Sequence, residues 1–373
     1  GDLYLLMERN FISELLQVPK STSSFSAACD WFKAHDLDPS DGLKQLASSA
    51  EAEIKLMEEN GLTEKGIESA EDEVERSALY EVLLPLFLGL LKTGHLASTL
   101  RKYRERLTTQ IKGAIKSVVG ELLPVLWQHT TGSSDDGNSV PLADRLRSLS
   151  AEAFCALLSA VYGAVQLQLE RASEVKKIVE KLIKQQGKQM VDIENNKSGA
   201  TQYSSWGLVL APSSNQCQDT LRECSEVVSS ACDVAHGRWA KLLGVRSNVH
   251  ARLKLREYCL VNEETQQFMT ATEEMSGKPC YSLRGAMQSQ SRSFIEGFHT
   301  HTKGKLAMLL ESEVWNSAEI PEEVQKSVTT VLDEDRDEAQ ASERVTKKIV
   351  FGGKKNNLVS FSVMFLSRFG ANY

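Results

Sequence analysis

The stretch AEAFCALLSAVYGAVQLQLERASEVKKIVEKL, residues Ala151 to Leu182, decides the fold class of this chain. Apolar residues recur in it at alternating spacings of three and four. The repeat comprises Ala151, Phe154, Leu158, Val161, Val165, Gln168, Ala172, Val175, Val179 and Leu182. An average spacing of 3.5 residues keeps one seam against a partner helix, whereas a core helix of a compact enzyme usually shows a broader face. At 1.5 Å per residue, the seam predicts a helix of roughly 45 Å.

Gln168 is the one polar residue in this seam. A single polar residue at a core position of paired helices can fix their register at a cost in stability. Alternatively, the helix rotates locally so that Gln168 faces water and Leu167 or Leu169 fills the core. We expect the second arrangement, because a leucine stands on each side of the glutamine.

Composition and charge narrow the class of protein. The chain has 373 residues, 41% of them hydrophobic, which is enough to bury one or more cores. A net charge of −7 argues against a general nucleic-acid binder, which needs a basic surface. Seven cysteines without framework spacing indicate reduced thiols. No signal peptide is recognisable, and the longest apolar run, Val82 to Leu91, is too short to span a bilayer. We therefore expect a soluble cytosolic chain.

The helical pattern extends along most of the chain and predicts an all-α fold of elongated, stacked helical bundles. Two further stripes, Leu96 to Val125 and Leu283 to Leu309, exceed a typical helix in length and need other helices to cover them. The predicted regions are short helices and an acidic stretch (1–78), a long helical hairpin (79–188), a flexible loop (189–217), a second helical bundle (218–330), and an acidic mobile segment followed by the truncated start of a further helical domain (331–373).

One constellation resembles a metal site. Cys217, Cys224, Cys232 and His236 have spacings of seven, eight and four, which place them near one face of a continuous helix. However, Cys217 and Cys224 then lie about 10.5 Å apart along the axis, whereas zinc needs its ligands about 2.0–2.3 Å from one point. We therefore expect these cysteines to pack in the core, and we predict neither a metal nor a cofactor.

Other chemical motifs are weak. Gly89 to His95 resembles a phosphate loop, but a histidine stands where the lysine should be and no Ser or Thr follows it. His299 and His301, two residues apart on a helix, point in nearly opposite directions. Neither a GxSxG nor an HExxH motif occurs. The motifs therefore give no candidate catalytic residue.

The segment from Lys92 to Lys116 is strongly basic. It carries Lys92, Arg101, Lys102, Arg104, Arg106, Lys112 and Lys116 against the single acid Glu105. An anionic membrane could use such a helix, but the acidic stretches Glu51 to Arg76 and Glu311 to Glu338 offer partners within the chain. The regular interleaving of aromatic residues that would stack on nucleic-acid bases is missing. We favour packing or contact with another subunit over lipid binding.

Trp239 falls in the same helical stripe as Cys232, Ala235 and Leu242. We therefore predict that its ring is buried between helices. The neighbouring His236 and Arg238 are expected to serve packing or a contact at a helix end.

Four blocks together resemble one known family. They are LLPLFLGLLKTGHLASTLRKYRERL and the residues that follow (Leu83–Leu126), LADRLRSLSAEAF and the seam (Leu142–Glu180), CDVAHGRWAKLLGVR (Cys232–Arg246), and LRGAMQSQSRSFIEGFHTHTKGKL continuing to Gln325. In this order they resemble the family of vacuolar protein sorting-associated protein 54, most of all its plant form. The blocks HGRWAKLLGVR and FHTHTKGKL are the specific ones.

That resemblance implies a subunit of the Golgi-associated retrograde protein complex, which captures endosome-derived vesicles at the trans-Golgi network. It implies a non-catalytic helical rod with the other subunits of the complex as partners, and peripheral association with the cytosolic face of the Golgi or endosomes. SNARE contacts are also implied, through regions of the family largely outside this chain. The family's amino-terminal coiled coil is not recognisable here, and its carboxy-terminal domain is expected to be cut off after Tyr373.

Two alternatives remain open from the sequence. One is a related tether of the endosomal recycling complex, similar to syndetin, which shares comparable helical regions. The other is an enzyme whose site is split across helices, which a deep polar pocket with converging titratable groups would reveal.

Overall fold

A computed structural model of the protein describes residues 2–16, 23–59, 71–131, 140–195 and 214–312. Every regular element within these ranges is a helix, and the predicted all-α class is confirmed. The helices are α1 (Asp2–Leu16), α2 (Ser24–Ala34), α3 (Asp41–Glu59), α4 (Glu71–Lys92), α5 (Leu96–Thr131), α6 (Leu142–Ser148), α7 (Ala151–Asn195), α8 (Ser214–Val245), α9 (Ser247–His250), α10 (Leu255–Ser276) and α11 (Tyr281–Ser312).

The chain divides into two compact units, Gly1–Ile295 and Glu296–Tyr373. The first unit contains α1 to α10 and the beginning of α11, and it holds the hydrophobic core. In the second unit, the described residues are the end of α11.

Helix α7 is the centre of the first unit. It packs against α2, α5, α8 and α10, and all ten positions of the predicted seam are buried. Its first three turns are buried on almost every side, because Ala153, Cys155, Leu157 and Ala160 are enclosed as well. The prediction of a narrow seam is therefore wrong for the first turns of α7, where four surrounding helices leave little surface free. It holds for the turns after Val161.

Gln168 follows neither predicted arrangement completely. Its side chain is only 9% exposed and its Oε1 atom is buried without a hydrogen-bond partner. Leu169 is also fully buried, whereas Leu167 is 37% exposed. The helix therefore buries Gln168 and Leu169 together, and the glutamine stays in the core with one acceptor unsatisfied.

Helix α5 lies against α7 and α8 and buries most of its predicted stripe. Leu100, Tyr103, Leu107 and Ile111 are enclosed, while Val125 near the end of the stripe is only partly buried. A turn with Gly94 at a φ of 75° separates α4 from α5, a backbone conformation that favours glycine. This turn lets α5 start at Leu96 with its apolar side facing the core.

Local sequence signals explain several helix ends. The Ser23 side chain accepts a hydrogen bond from the Ser26 amide and begins α2. Gly277, at a φ of 69°, ends α10 in the left-handed conformation that glycine adopts most easily. Across this turn, the Glu273 carboxylate accepts hydrogen bonds from the Cys280 amide at 2.7 Å and from the Nε and Nη2 atoms of Arg284. These bonds hold the start of α11 against the end of α10.

The prediction of a flexible loop over residues 189–217 is wrong at both ends, where the structure has helix. Helix α7 continues to Asn195 and α8 begins at Ser214. Residues 186–195 lose the apolar stripe but contain Gln, Lys, Met and Glu and no proline, so the helix continues without the periodicity that marked it. The intervening residues 196–213 lie outside the described residues. The same is true of residues 313–330, the end of the predicted second bundle, and of the whole predicted segment 331–373.

The predicted stripe on α11 is buried only in its first half. Leu283, Met287 and Phe294 are buried, whereas Leu306 is 56% and Leu309 is 65% exposed. The prediction of a continuous buried stripe is wrong over these last turns. The sequence HTHTKGK, residues 299–305, supplies no apolar side chain and interrupts the stripe.

One described helical segment, Ala151–Lys184 of α7, is long and apolar enough to cross a membrane by length and composition. However, 61% of its most apolar window is buried inside the protein. Such burial is typical of the central helix of a helical bundle, which is the position that α7 occupies.

Candidate functional site

The candidate metal ligands on α8 serve helix packing. Cys224, Cys232 and His236 are buried, while Cys217 is partly exposed. The Cys232 thiol donates to the Thr272 carbonyl of α10 at 3.7 Å, and His236 Nε2 lies 2.6 Å from the Thr272 hydroxyl. Among the described residues, no group of three or more His, Cys, Asp or Glu side chains could hold a metal ion. Cys232 and His236 instead join α8 to α10.

The hydrogen bonds of Thr272 determine where the His236 proton lies. The Thr272 hydroxyl donates to the Phe268 carbonyl at 2.7 Å, so His236 Nε2 donates to that hydroxyl. His236 Nδ1 is then an acceptor, and it is buried without a partner. Burial lowers the pKa of His236, which agrees with a neutral ring.

The buried cysteines are not arranged as nucleophiles. Burial raises the pKa of Cys232 to about 12 and also raises those of Cys155 and Cys224. A reactive cysteine needs a lowered pKa, because the thiolate is the nucleophile. These thiols therefore act as small apolar side chains of the core.

Trp239 is buried as predicted, with 1% of its surface exposed. Its ring stacks on Phe268 of α10 at a centroid distance of 4.1 Å and an angle of 7°. The indole Nε1 donates to the Thr265 hydroxyl at 3.2 Å. His236 shares the interface, as predicted, but Arg238 is exposed and its predicted packing role is wrong.

Arg246, the last residue of the HGRWAKLLGVR block, is fully buried. Its Nη1 atom donates to the Leu146 carbonyl and, at 3.0 Å, to the Leu149 carbonyl. These two carbonyls lie at the corner where α6 ends and α7 is about to begin. The guanidinium also lies 4.5 Å above the centre of the Phe154 ring. Burial lowers the pKa of Arg246 to about 10, and the group remains charged at neutral pH.

A directed row of hydrogen bonds starts from Arg246. Arg246 Nε donates to His250 Nε2 at 3.2 Å, so the His250 proton lies on Nδ1 and is donated to Gln290 Oε1 at 2.9 Å. Gln290 Nε2 then donates to the Leu243 carbonyl at 2.9 Å. Burial, and secondarily the nearby Arg246 charge, lower the pKa of His250 to about 4. The row joins the ends of α6, α8 and α9 to α11.

Three bases near the start of α5 are paired within the protein. Arg101 Nε lies 2.9 Å and Arg104 3.5 Å from the Glu223 carboxylate of α8, and Lys102 lies 2.6 Å from Glu8 of α1. Internal partners were expected, but in the acidic stretches Glu51 to Arg76 and Glu311 to Glu338. That assignment is wrong for these three bases, whose partners are the buried carboxylates of Glu8 and Glu223. Buried carboxylates at such positions need a cation.

The remaining bases of α5 form an exposed surface. Arg106, Lys112 and Lys116 are exposed and have no ion pair in the part of the chain that the structure describes. At 100° per residue they lie within an arc of about 120° around the helix, with Gly113 between them. We call these three residues the basic face of α5. A Cβ atom added at Gly113 would meet no atom within 4 Å, so the middle of the face is open.

A shallow groove borders the basic face. It has a volume of about 500 Å³ and is lined by Leu16, Glu105, Arg106, Thr109 and Gln110. The Gln110 side chain donates to the Leu16 carbonyl at 3.2 Å, while its Oε1 atom is buried without a partner. The groove could receive one side chain of a helix lying along α5.

The segment that resembles a phosphate loop is the end of α4. The Thr93 hydroxyl donates to the Gly89 and Leu90 carbonyls, and His95 stacks on Tyr4 at 4.2 Å. His299 and His301 belong to the second unit and are exposed on α11. Neither arrangement forms a nest of amides for a phosphate or a chelating pair.

Sequence reasoning did not identify Arg246, His250, Gln290, Glu223 or Glu8. An arginine and a histidine four residues apart at a helix end were the only local signal for the first two. Nothing local marked the others, because each meets a partner more than 30 residues away in the sequence.

The chain is similar to proteins named vacuolar protein sorting-associated protein 54. The Arabidopsis thaliana protein, whose name adds "chloroplastic", is 36% identical over 341 residues, which are 80% of this chain and 32% of that protein. The Homo sapiens protein is 34% identical over 110 residues, 29% of this chain and 11% of its own length. The Drosophila melanogaster protein is 22% identical over 293 residues, 76% of this chain and 29% of its own length.

This chain thus spans about a third of the length of the plant relative. No family model matches the sequence, and no solved structure matches it either.

Proposed function

Because this chain belongs to the family of vacuolar protein sorting-associated protein 54, we propose that it acts in a vesicle tether for retrograde transport from endosomes to the trans-Golgi network. It works through helical protein–protein contacts and not through catalysis. The observation that carries the proposal is 36% identity to the plant relative along 80% of this chain.

The contacts of the described side chains support a structural, non-catalytic role. Titratable groups that an enzyme could use, such as His236, His250 and Cys232, are buried and bonded to neighbouring helices. General acids and bases need pKa values near the working pH, and burial moves the pKa values of these groups away from it. The buried polar groups therefore serve to fix helices, which is what a contact protein requires.

The proposed partners are the other subunits of the Golgi-associated retrograde protein complex. The proposed location is the cytosolic face of the trans-Golgi network, where the protein is held peripherally through the complex. SNAREs are proposed as partners through regions of the family that lie largely outside this chain.

Affinity purification from plant cells tests the proposal. The tagged full-length protein that contains this chain should recover the other subunits of the complex in near-equal amounts and co-localise with a trans-Golgi marker. Recovery of an endosomal recycling complex with an endosomal pool instead would favour a syndetin-like tether. Recovery of no tether subunit, together with turnover of a small molecule by the purified protein, would overturn the proposal in favour of an enzyme.

A further inference from the structure

The basic face of α5 differs from the three bases before it, because none of its residues forms an ion pair in the described part of the chain. Arg101, Lys102 and Arg104 neutralise Glu8 and Glu223 inside the protein. Arg106, Lys112 and Lys116 are exposed, and Glu105 is the one acid among the exposed residues of the same arc. A local excess of positive charge on a chain of net charge −7 selects an acidic partner.

The shape of this face fits a helix. Gly113 lies between the bases and Gly120 lies one turn beyond Lys116 on the same arc, and a Cβ atom added at either glycine would meet nothing within 4 Å. Small residues allow the backbone of a second helix to approach closely, while long basic side chains on both sides reach acids on that helix. The groove beside Thr109 and Leu16 offers a place for one apolar side chain.

A membrane fits this face less well. A helix that lies on a bilayer inserts large apolar side chains below its basic ones. All the large exposed apolar side chains of the described residues lie on other helices or loops, and the apolar side of α5 is buried against α7 and α8. The face offers charge to a membrane but nothing to insert.

We infer that the basic face of α5 binds an acidic amphipathic helix of another subunit, along the line of Gly113 and Gly120. This inference rests on the proposed function, because it takes the partner to be a component of the same assembly. Arg106, Lys112 and Lys116 supply ion pairs at the edges of the contact. The two glycines set the distance between the helices.

A labelled amphipathic peptide with a leucine seam and glutamates elsewhere is the probe, and a version with glutamine for glutamate is its neutral control. Binding to the whole chain is measured by fluorescence anisotropy. Reversal of the face (Arg106→Glu, Lys112→Glu, Lys116→Glu) should weaken binding of the acidic peptide at least ~10-fold, since three edge ion pairs together are worth about that factor. The matched control reverses three other exposed bases (Arg238→Glu, Lys241→Glu, Arg256→Glu) and should change the affinity less than ~2-fold.

Gly113→Leu separates helix docking from simple charge attraction. The space around Gly113 is open, so the variant should fold with unchanged circular dichroism, yet it should weaken peptide binding ~10-fold by holding the helix away. Equal binding by this variant and the wild type would overturn the inference.

Flotation with phosphatidylserine vesicles tests the membrane directly. Loss of vesicle binding on face reversal, with peptide binding unchanged, would assign the face to lipid and overturn the inference. Recovery of the tether subunits in cells reports on the proposed function separately. If the face-reversed full-length protein still recovers every subunit at wild-type levels, the inference fails while the proposed function stands.

Discussion

Replacing Trp239 with alanine tests whether the α8–α10 interface holds the first unit together. The ring is 1% exposed, stacks on Phe268 at 4.1 Å and donates to Thr265 at 3.2 Å. Truncating a buried tryptophan costs about 3–5 kcal/mol in transfer free energy and residual cavity. The Thr265 hydroxyl keeps its bond to the Val261 carbonyl, so no buried donor is left without a partner. We therefore expect the free energy of unfolding to fall by about 4 kcal/mol.

A second variant separates the ring from its hydrogen bond. Trp239→Phe keeps an aromatic ring beside Phe268 and should cost about 1–2 kcal/mol, because it loses the indole N–H and part of the volume. Tyr281→Ala is the matched control, since Tyr281 is 79% exposed and its loss should change stability by less than ~0.5 kcal/mol. Urea unfolding followed by circular dichroism measures all three. A loss below ~1 kcal/mol for Trp239→Ala, or equal losses for the alanine and phenylalanine variants, would refute the reasoning.

Three further predictions concern single positions. Gln168→Leu should raise the free energy of unfolding by about 1 kcal/mol, because it removes a buried acceptor without a partner; a loss of stability would show a bond that the structure lacks. Gly113→Ala should stabilise the protein by about 0.5–1 kcal/mol in thermal unfolding, because Gly113 lies in an exposed helix interior with open space around it. Arg284 bonding lowers the pKa of Glu273 to about 2, so Glu273 stabilises the fold above its ordinary pKa of 4.5 and loses this effect as the pH falls toward 2. Glu273→Gln should therefore cost about 1 kcal/mol at pH 7, a value discounted for the half-exposed Arg284, and nothing near pH 2; an equal cost at both pH values would contradict this.

The helices were predictable because burial follows the helical period. The seam of α7 and the stripe of α5 are enclosed at the positions that spacing indicated, and Trp239 is buried in its stripe. The prediction failed where a helix continues without an apolar face, as in residues 186–195. It also failed near the end of α11, where the apolar stripe continues in the sequence but Leu306 is exposed. The apolar period of a sequence indicates which residues are buried. It indicates where a helix ends only if the buried stripe ends at the same residue as the helix.

The polar contacts were not predictable, because their partners are distant in the sequence. Arg246 meets carbonyls about 100 residues earlier, and Glu223 meets Arg101 122 residues earlier. The partners of the basic segment were predicted to lie in the acidic stretches because these stretches contain many acids. A run of acids is well solvated and gains little from a cation, whereas a lone buried carboxylate must be neutralised. The isolated acids Glu8 and Glu223 therefore take the arginines and the lysine.

The burial of the HGRWAKLLGVR block determines what its resemblance to the family can mean. His236, Trp239, Leu243 and Arg246 are interior, and each bonds or packs across to another helix of the same unit. Residues enclosed in this way cannot contact a second protein without unfolding, so their likeness to the family reflects a shared arrangement of helices. Contacts with any other protein must come from exposed positions, and the apolar pattern of the sequence does not mark those positions. The basic face of α5 is such a surface, because its three bases have no structural task inside the unit that the described contacts record. Under the proposed function, the buried polar contacts hold the helices in place and a few exposed charges set the choice of partners.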